Sequence, residues 1–303
     1  MYQVIRNTNL IFNIFEPMNF YLTAVLLGLG FSSLAMGIFI SMRIFNIPDI
    51  TTDGSFTLGG AVTAVMLSSN QPVLLALICA FIVGAIAGSL TAIIHTRLKV
   101  NALLSGILVM TALYSVNLAI MGRSNIPLIG TASVFLQFTG QSSIQSQLIV
   151  LLIFTAIIFL IISWLLKTDF GLAMRATGNN EIMIRALGVN TSRMKIAGLA
   201  LANGLTALSG FLISQIQGFA DIGMGIGIVI LGLGSVMIGE IFMRLLKIHK
   251  IFYHLLGVIA GTIIFRLILA FALSIGIDAL YLKLVVAVFV LIVVSIPNFK
   301  RSE

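Results

Sequence analysis

Two aspartates placed four residues apart are the side chains in this sequence best suited to chemistry. Asp49 and Asp53 lie in the run 48–55, directly before an apolar segment. Carboxylates here can cap the following helix, because they accept hydrogen bonds from its first free N–H groups. In that interpretation both carboxylates face water at the edge of the apolar segment. The alternative makes them, together with Ser55, a gate or a coupling contact at the mouth of a pathway.

Other polar side chains lie within or beside apolar segments. Asn101, Asn117 and Asn203 interrupt such runs, and buried amides in lipid usually form hydrogen bonds between helices. Asn101 and Asn203 are also candidates for lining a pathway, as is Asp221. Arg266 is the one cation deep in a predicted span, so we expect it to face the interior of the helix bundle or to lie near the outer surface.

One charged segment, residues 167–195, interrupts the apolar sequence. It holds five of the 17 basic and two of the nine acidic residues. Asn179 and Asn180 are good helix N-caps and Gly188 is a good C-terminal stop, so the sequence predicts a two-turn helix over 181–187. Two of its residues, one turn apart, are Glu181 and Arg185. A separately capped short helix between two spans suits docking to another protein, whereas the charge alone suits an ordinary connecting loop.

The charged segment resembles the coupling loop of ABC importer permeases, in the branch that includes the branched-chain amino acid and ribose permeases. The matching residues are Gly171, Arg175-Ala176-Thr177-Gly178-Asn179, Ala186-Leu187-Gly188 and Lys195. The resemblance implies that this loop contacts a separate ATPase subunit. The contact residues that it implies are Arg175, Gly178, Asn179, Glu181, Arg185 and Gly188.

The run from Phe45 to Leu58 resembles a signature of one subgroup of these permeases, Pro-Asp-(Leu/Ile)-Thr-x-Asp-Gly-Ser. That subgroup is associated with binding proteins for aromatic amino acids such as tryptophan and tyrosine. Together with the match over 171–240, the resemblance covers most of the chain.

Composition bounds the class of protein. Hydrophobic residues make up 59% of the chain and charged residues 9%, against about 25% charged in soluble domains. These values predict a polytopic all-α membrane protein. The net charge of +8 comes from short gaps between spans, which indicates topology rather than a nucleic-acid partner. The sequence has no phosphate-binding loop, paired-histidine metal motif or nucleophile elbow, so we expect no catalytic residue, metal or cofactor.

Nine membrane segments follow from the length needed to cross the hydrocarbon core, about 20 apolar residues. They are 19–42, 55–69, 73–96, 101–121, 147–166, 194–216, 226–243, 251–273 and 282–297. We expect one permease domain over 1–303. Most basic residues fall on one side, which predicts a cytoplasmic 167–195 loop, an outside N-terminus and a cytoplasmic C-terminus.

Two of the nine segments are short and interrupted by glycine. Each follows an Asp-Ile pair, at Asp49 and at Asp221, and the predicted topology starts them from opposite faces. Paired broken helices of this kind are typical of inverted repeats beside a transport path. The two halves would be 19–121 and 147–297.

The function predicted from these observations is the membrane permease subunit of a bacterial ABC importer, in the cytoplasmic (inner) membrane. The resemblance implies ABC ATPase subunits, a periplasmic or lipoprotein substrate-binding protein and a second permease copy as partners within the lipid bilayer. The expected substrate is an amino acid or a similar small solute. The alternative is an ion-coupled secondary transporter in which Asp49, Asp53 and Asp221 bind the ion, although the predicted spans put all three at membrane boundaries.

Overall fold

The computed structural model describes residues 19–140, 143–248 and 250–299. The helices are α1 (Asn19–Ile44), α2 (Thr51–Ser68), α3 (Val73–Arg97), α4 (Ala102–Met121), α5 (Val134–Thr139), α6 (Ile144–Leu165), α7 (Asp169–Asn179), α8 (Glu181–Ala186), α9 (Thr191–Gln217), α10 (Ile228–Leu245), α11 (Ile251–Ser274) and α12 (Leu282–Phe299). Two three-residue strands, β1 (Asn125–Pro127) and β2 (Phe219–Asp221), pair antiparallel. The predicted positions of the two chain ends concern residues outside the described ranges.

Seven of the described helices are long and apolar enough to cross a membrane, judged by length and composition: α1, α3, α4, α6, α9, α10 and α11. In α12 the described apolar stretch, Leu282–Ser295, is shorter. The prediction of an all-α polytopic membrane protein is confirmed. A helix lies at each of the nine predicted segments, but α2 and α12 do not meet the criterion for a full span.

The centre of the bundle is formed by α1 and α9. Their most apolar stretches are 83% and 78% buried, whereas those of α3 and α4 are 33% and 28% buried. The outward side of α3 carries exposed apolar residues at every fourth position, namely Leu74, Ile78, Ile82, Ile86 and Leu90. In a bilayer such an apolar stripe contacts lipid or another subunit. The helix can face hydrocarbon because its backbone groups are already hydrogen-bonded within it.

The helix α2 differs from the spanning helices because it is nearly all buried despite its polar residues. It packs among α9, α3 and α4. Gly59 lies against the Ala207 carbonyl and Gly210 against the Phe56 carbonyl, and a Cβ at either glycine would collide with backbone. These contacts agree with the packing role that small residues have in membrane helices.

The interruptions predicted in α2 and α10 lie before these helices rather than within them. The last turn of α1, Phe39–Ile44, is π-helical, and residues 45–50 are not helical before α2 begins. A turn over 222–227 precedes α10 in the same way. Both α2 and α10 are then continuous for 18 residues. Both helices are therefore intact, and each is preceded by a non-helical connection, 45–50 before α2 and 222–227 before α10.

Candidate functional site

Asp49 lies at the centre of a buried polar network. Its side chain is fully buried. The Thr51 N–H donates to its Oδ1 at 2.9 Å and the Asn203 Nδ2 donates to its Oδ2 at 2.6 Å. Asp49 therefore caps the first turn of α2 as predicted, but the expectation that its carboxylate faces water is wrong. The reason is α9, which covers this end of α2 and supplies an amide in place of water.

Asn203 joins two of the other predicted pathway residues, Ser55 and Asp49. Its Oδ1 accepts a hydrogen bond from Ser55 Oγ at 2.7 Å, while its Nδ2 donates to Asp49 and to the Leu199 carbonyl at 3.1 Å. The amide thus uses both its ends, as a buried amide requires. The result is a cross-link from the α1–α2 connection through α2 to the middle of α9.

The polar network continues into α3 through two threonines. Thr51 Oγ1 and Thr91 Oγ1 lie 2.7 Å apart, and both residues are buried. Sequence reasoning missed Thr91, because a threonine inside a helix normally bonds its own backbone and gives no separate signal.

Asp53 links α2 and α10, the two helices that follow non-helical connections. Its Oδ2 accepts from the Gly227 N–H and its Oδ1 from the Val229 N–H, each at 2.9 Å. A carboxylate at this position caps α10, and its negative charge is stabilised by the positive N-terminal end of the helix dipole. Asp53 belongs to α2, so the predicted capping of its own helix is wrong: it caps the other one. Away from this contact the two helices pack mainly on different neighbours, α2 on α9 and α10 on α11.

Two pathway candidates lie away from this network. Asn101 is the exposed N-cap of α4 and accepts from the Leu103 N–H at 2.9 Å, so its predicted place within a span is wrong. Asp221 lies in β2, where its side chain accepts from the Gly223 N–H at 2.8 Å and from Asn125 Nδ2 at 3.4 Å. The side chain of each residue accepts from a backbone N–H two positions further along the chain, and neither contacts the Asp49 network.

Asp49, one of the three aspartates of the ion-coupled alternative, is buried among helices. Among the described residues, no group of three or more His, Cys, Asp or Glu side chains could hold a metal ion.

The 167–195 segment folds into two short helices. Asn180 accepts from the Met183 N–H at 3.0 Å and caps α8, which ends one residue earlier than predicted. Gly188 has a φ of +84°, the left-handed conformation that a helix stop commonly uses. The helix α7 was not predicted. Its signal was Thr168, which caps α7 by accepting from the Gly171 N–H.

Glu181 holds α8 against the start of α9. Its carboxylate pairs with Lys195 Nζ at 2.6 Å and with Arg185 at 2.8 Å, and it accepts from Thr191 Oγ1 at 3.0 Å. The hydrogen bond from Lys195 is the main cause that lowers the pKa of Glu181. Stability from this carboxylate is therefore present above its unfolded pKa and is lost as pH falls through the lower folded value.

The end of α7 packs directly on the end of α1. Gly178 lies so close to the Ile44 carbonyl that a Cβ there would collide with it. Asn46 Nδ2 donates to the Gly178 carbonyl at 3.1 Å. Asp49 follows three residues after Asn46, so one short stretch joins the charged segment to the buried network. Arg175 and Asn179 line a cavity of about 1070 Å³ beside this contact.

The outward face of α8 is apolar. Ile182 is 85% exposed and Leu187, just after the helix, is 71% exposed, with Met183 at 54%. These residues lie among charged groups at the end of the molecule where Glu181, Arg185 and Lys195 meet. An apolar cluster with a charged rim is typical of a protein-binding surface.

The comparisons with known proteins agree with one another. The profile of a family described as branched-chain amino acid transport system permease component matches residues 20–295. A tyrosine transport system permease protein of Clostridioides difficile (strain R20291) is 37% identical, over 89% of this chain and 89% of its own length. An uncharacterized protein of Rickettsia prowazekii (strain Madrid E) is 34% identical, over 94% and 100%. A ribose import permease protein of Haemophilus influenzae is 23% identical, over 84% and 78%. No solved structure gives a significant match.

Proposed function

We propose a function from one premise: the chain belongs to the branched-chain amino acid transport system permease-component family. The sequence-based resemblance to ABC importer permeases is thereby confirmed. The chain is a multi-pass protein of the bacterial inner membrane. Its function is to form the solute pathway of an importer whose ATP hydrolysis takes place in separate ATPase subunits that act through the 167–195 segment.

The observation that carries this proposal is the contact between Gly178 and Ile44. A force on α8 reaches the membrane interior by two routes. One passes through Glu181 and Lys195 into α9, and the other through α7 and Gly178 into the 45–50 stretch. Both routes end at the hydrogen bond between Asn203 and Asp49. A docked ATPase subunit would therefore move α9 and the start of α2 together.

The gate in this proposal consists of Asp49, Asp53, Ser55 and Asn203. Asp53 ties α2 to α10, and the other three tie α2 to α9. Alternating access needs two discrete packings of such helices. If the hydrogen bonds of α2 to one of these helices break while those to the other remain, the non-helical connections before α2 and α10 can change position.

The partners in this proposal are two ATPase subunits, an external substrate-binding protein and a second permease copy. The substrate class is an amino acid, supported by the similarity to the permease named for tyrosine transport. The outer end of the pathway, near the paired strands β1 and β2, would receive the solute.

A substitution on the α8 surface tests the docking step. Ile182→Asp places a charge at the centre of the exposed apolar cluster, so we expect about tenfold weaker ATPase association, since one interface anchor contributes more than about 1 kcal/mol. Copurification of the native ATPase with tagged full-length permease measures the effect. Ile129→Asp is the matched control, because Ile129 is 89% exposed but lies beside β1. Equal association of both variants and the wild type would contradict docking at α8.

A further inference from the structure

Arg266 is a partly buried cation that the gate does not use. It lies in α11, about 22 Å along the helix from Ile251 at 1.5 Å per residue. Its guanidinium carbon lies 4.1 Å from the centroid of the Phe31 ring. Its Nε is buried and has no hydrogen-bond partner among the described residues. At least this one donor of the guanidinium is thus buried within a predicted span without a protein acceptor in the described part of the chain.

The acidic side chains near the membrane interior are engaged elsewhere. Asp49 is held by Asn203, Asp53 by the first N–H groups of α10, and Glu240 by Arg43 and Arg244. An ionised side chain within a membrane span is costly and usually serves a substrate or ion path. The charge of Arg266 therefore lacks a counter-ion that the described residues supply.

We propose that Arg266 binds the carboxylate of the transported amino acid during passage. This inference rests on the proposed function and names the group that the pathway recognises. A planar guanidinium binds a carboxylate through two parallel hydrogen bonds. The Phe31 ring covers one face of the guanidinium, so a carboxylate would bind at its N–H edge.

The direction of the side chain distinguishes a solute from a lipid phosphate. Arg266 lies over Phe31, a ring that is 2% exposed at the centre of the bundle, and its neighbour Phe265 is fully buried. A lipid headgroup would instead need the guanidinium to extend outward along the helix toward the membrane surface. The inward position favours a small solute within the protein.

A stacked pair of rings links this site to the gate. Phe31 and Phe56 stack with their planes 10° apart and their centroids 5.7 Å apart. Phe56 follows Ser55, which donates to Asn203. When an anion binds Arg266 and moves the guanidinium, the displacement reaches the residues that hold α2 against α9.

Purified full-length permease in phosphatidylcholine nanodiscs tests the inference. The probes are L-tyrosine and L-tyrosinamide, which differ in the carboxylate. We expect L-tyrosine to raise the thermal unfolding midpoint of the wild type and L-tyrosinamide to leave it unchanged. Arg266→Gln should bind L-tyrosine about tenfold or more weakly, measured as the L-tyrosine concentration that gives half of the midpoint shift, as expected when a charged hydrogen-bond partner is removed. Arg266→Lys should keep part of this affinity, because the charge remains without the planar fork.

Several results would overturn the inference. These are equal protection by acid and amide, equal response of Arg266→Gln and the wild type, or no protection by L-tyrosine or any of the other proteinogenic amino acids. Loss of bound phosphatidylglycerol from Arg266→Gln in native mass spectrometry, with the tyrosine effect unchanged, would assign the cation to a lipid phosphate. Dissociation of a permease dimer in Arg266→Gln, again with an unchanged tyrosine effect, would assign it to a second copy.

Copurification of the ATPase separates this inference from the proposed function. The Arg266→Gln variant should retain the ATPase and lose uptake of L-tyrosine. If the wild type itself fails to retain an ATPase, the proposed function is wrong whatever Arg266 binds. If the wild type retains it and Arg266→Gln takes up L-tyrosine normally, the carboxylate site alone is wrong.

Discussion

At the scale of single residues, the site is built from carboxylates that accept hydrogen bonds across helix boundaries. The residue types and the motif spacing marked Asp49, Asp53 and Ser55 as candidates. The partners were not predictable, because Asn203 lies 154 positions from Asp49 and Gly227 lies 174 from Asp53. An amide in an apolar helix indicates that a partner exists, but only tertiary packing selects which one.

Asp53→Asn tests the tie between α2 and α10. The amide keeps one oxygen acceptor but loses the charge and the second acceptor, so one N–H group at the start of α10 is left unpaired. We expect a loss of about 1 kcal/mol of stability and a marked reduction in uptake, measured by thermal unfolding and by transport in the full importer. Asp278→Asn is the matched control, since that carboxylate also accepts from a backbone N–H, that of Leu280 at 3.1 Å, but lies between α11 and α12. Similar uptake by both variants would contradict a role for Asp53 in the gate.

At the scale of elements, α8 was located well from the sequence and α7 was missed, although Thr168 was its local signal. The Asn180 side chain begins α8 and the left-handed Gly188 follows its end, and both act without help from tertiary structure. The break before α2 is preceded by a feature that was not predicted, the π-helical turn Phe39–Ile44 at the end of α1. Composition cannot indicate that kind of turn.

Gly188→Val tests the transmission of force by α8. A residue with a Cβ at a φ of +84° costs about 1–2 kcal/mol, and the backbone relaxes by tilting α8 against α9. No atom lies within 4 Å of the added Cβ, so the strain is confined to the backbone. We expect weaker ATPase association or hydrolysis without uptake, measured in the same preparation.

Gly218→Val is the matched control for Gly188→Val. Gly218 has a φ of +75° and equal open space around its added Cβ, but it ends α9 at the opposite end from α8. Its variant should lose comparable stability and retain the ATPase. Loss of coupling in both variants would mean that general instability, rather than the position of α8, is the cause.

At the scale of the whole molecule, charge is separated between the two ends. Arg43 and Arg175 line one cavity, and His95, Lys99 and Lys195 line another next to Glu181. These residues come from three regions of the chain, namely the end of α1, the end of α3 and the 167–195 segment, and the fold brings them to one end. The sequence predicted this separation from loop charges alone, because insertion places basic loops in the cytoplasm whatever the later packing. It did not predict that α2 would be enclosed by α9, α3 and α4, because hydropathy does not distinguish a helix facing lipid from a helix facing protein.

Cysteine labelling in intact cells tests the orientation that follows from this charge separation. Ile129→Cys and Ile182→Cys are matched sites, since the two side chains are 89% and 85% exposed and lie beside β1 and in α8. The native Cys79 is replaced by alanine in both variants, because it is a partly exposed free thiol. An impermeant maleimide should label Cys at 129 in intact cells and Cys at 182 only after the membrane is opened. The opposite pattern would place α8 outside, where no ATPase has access to ATP, and the coupling mechanism would then be impossible for this chain.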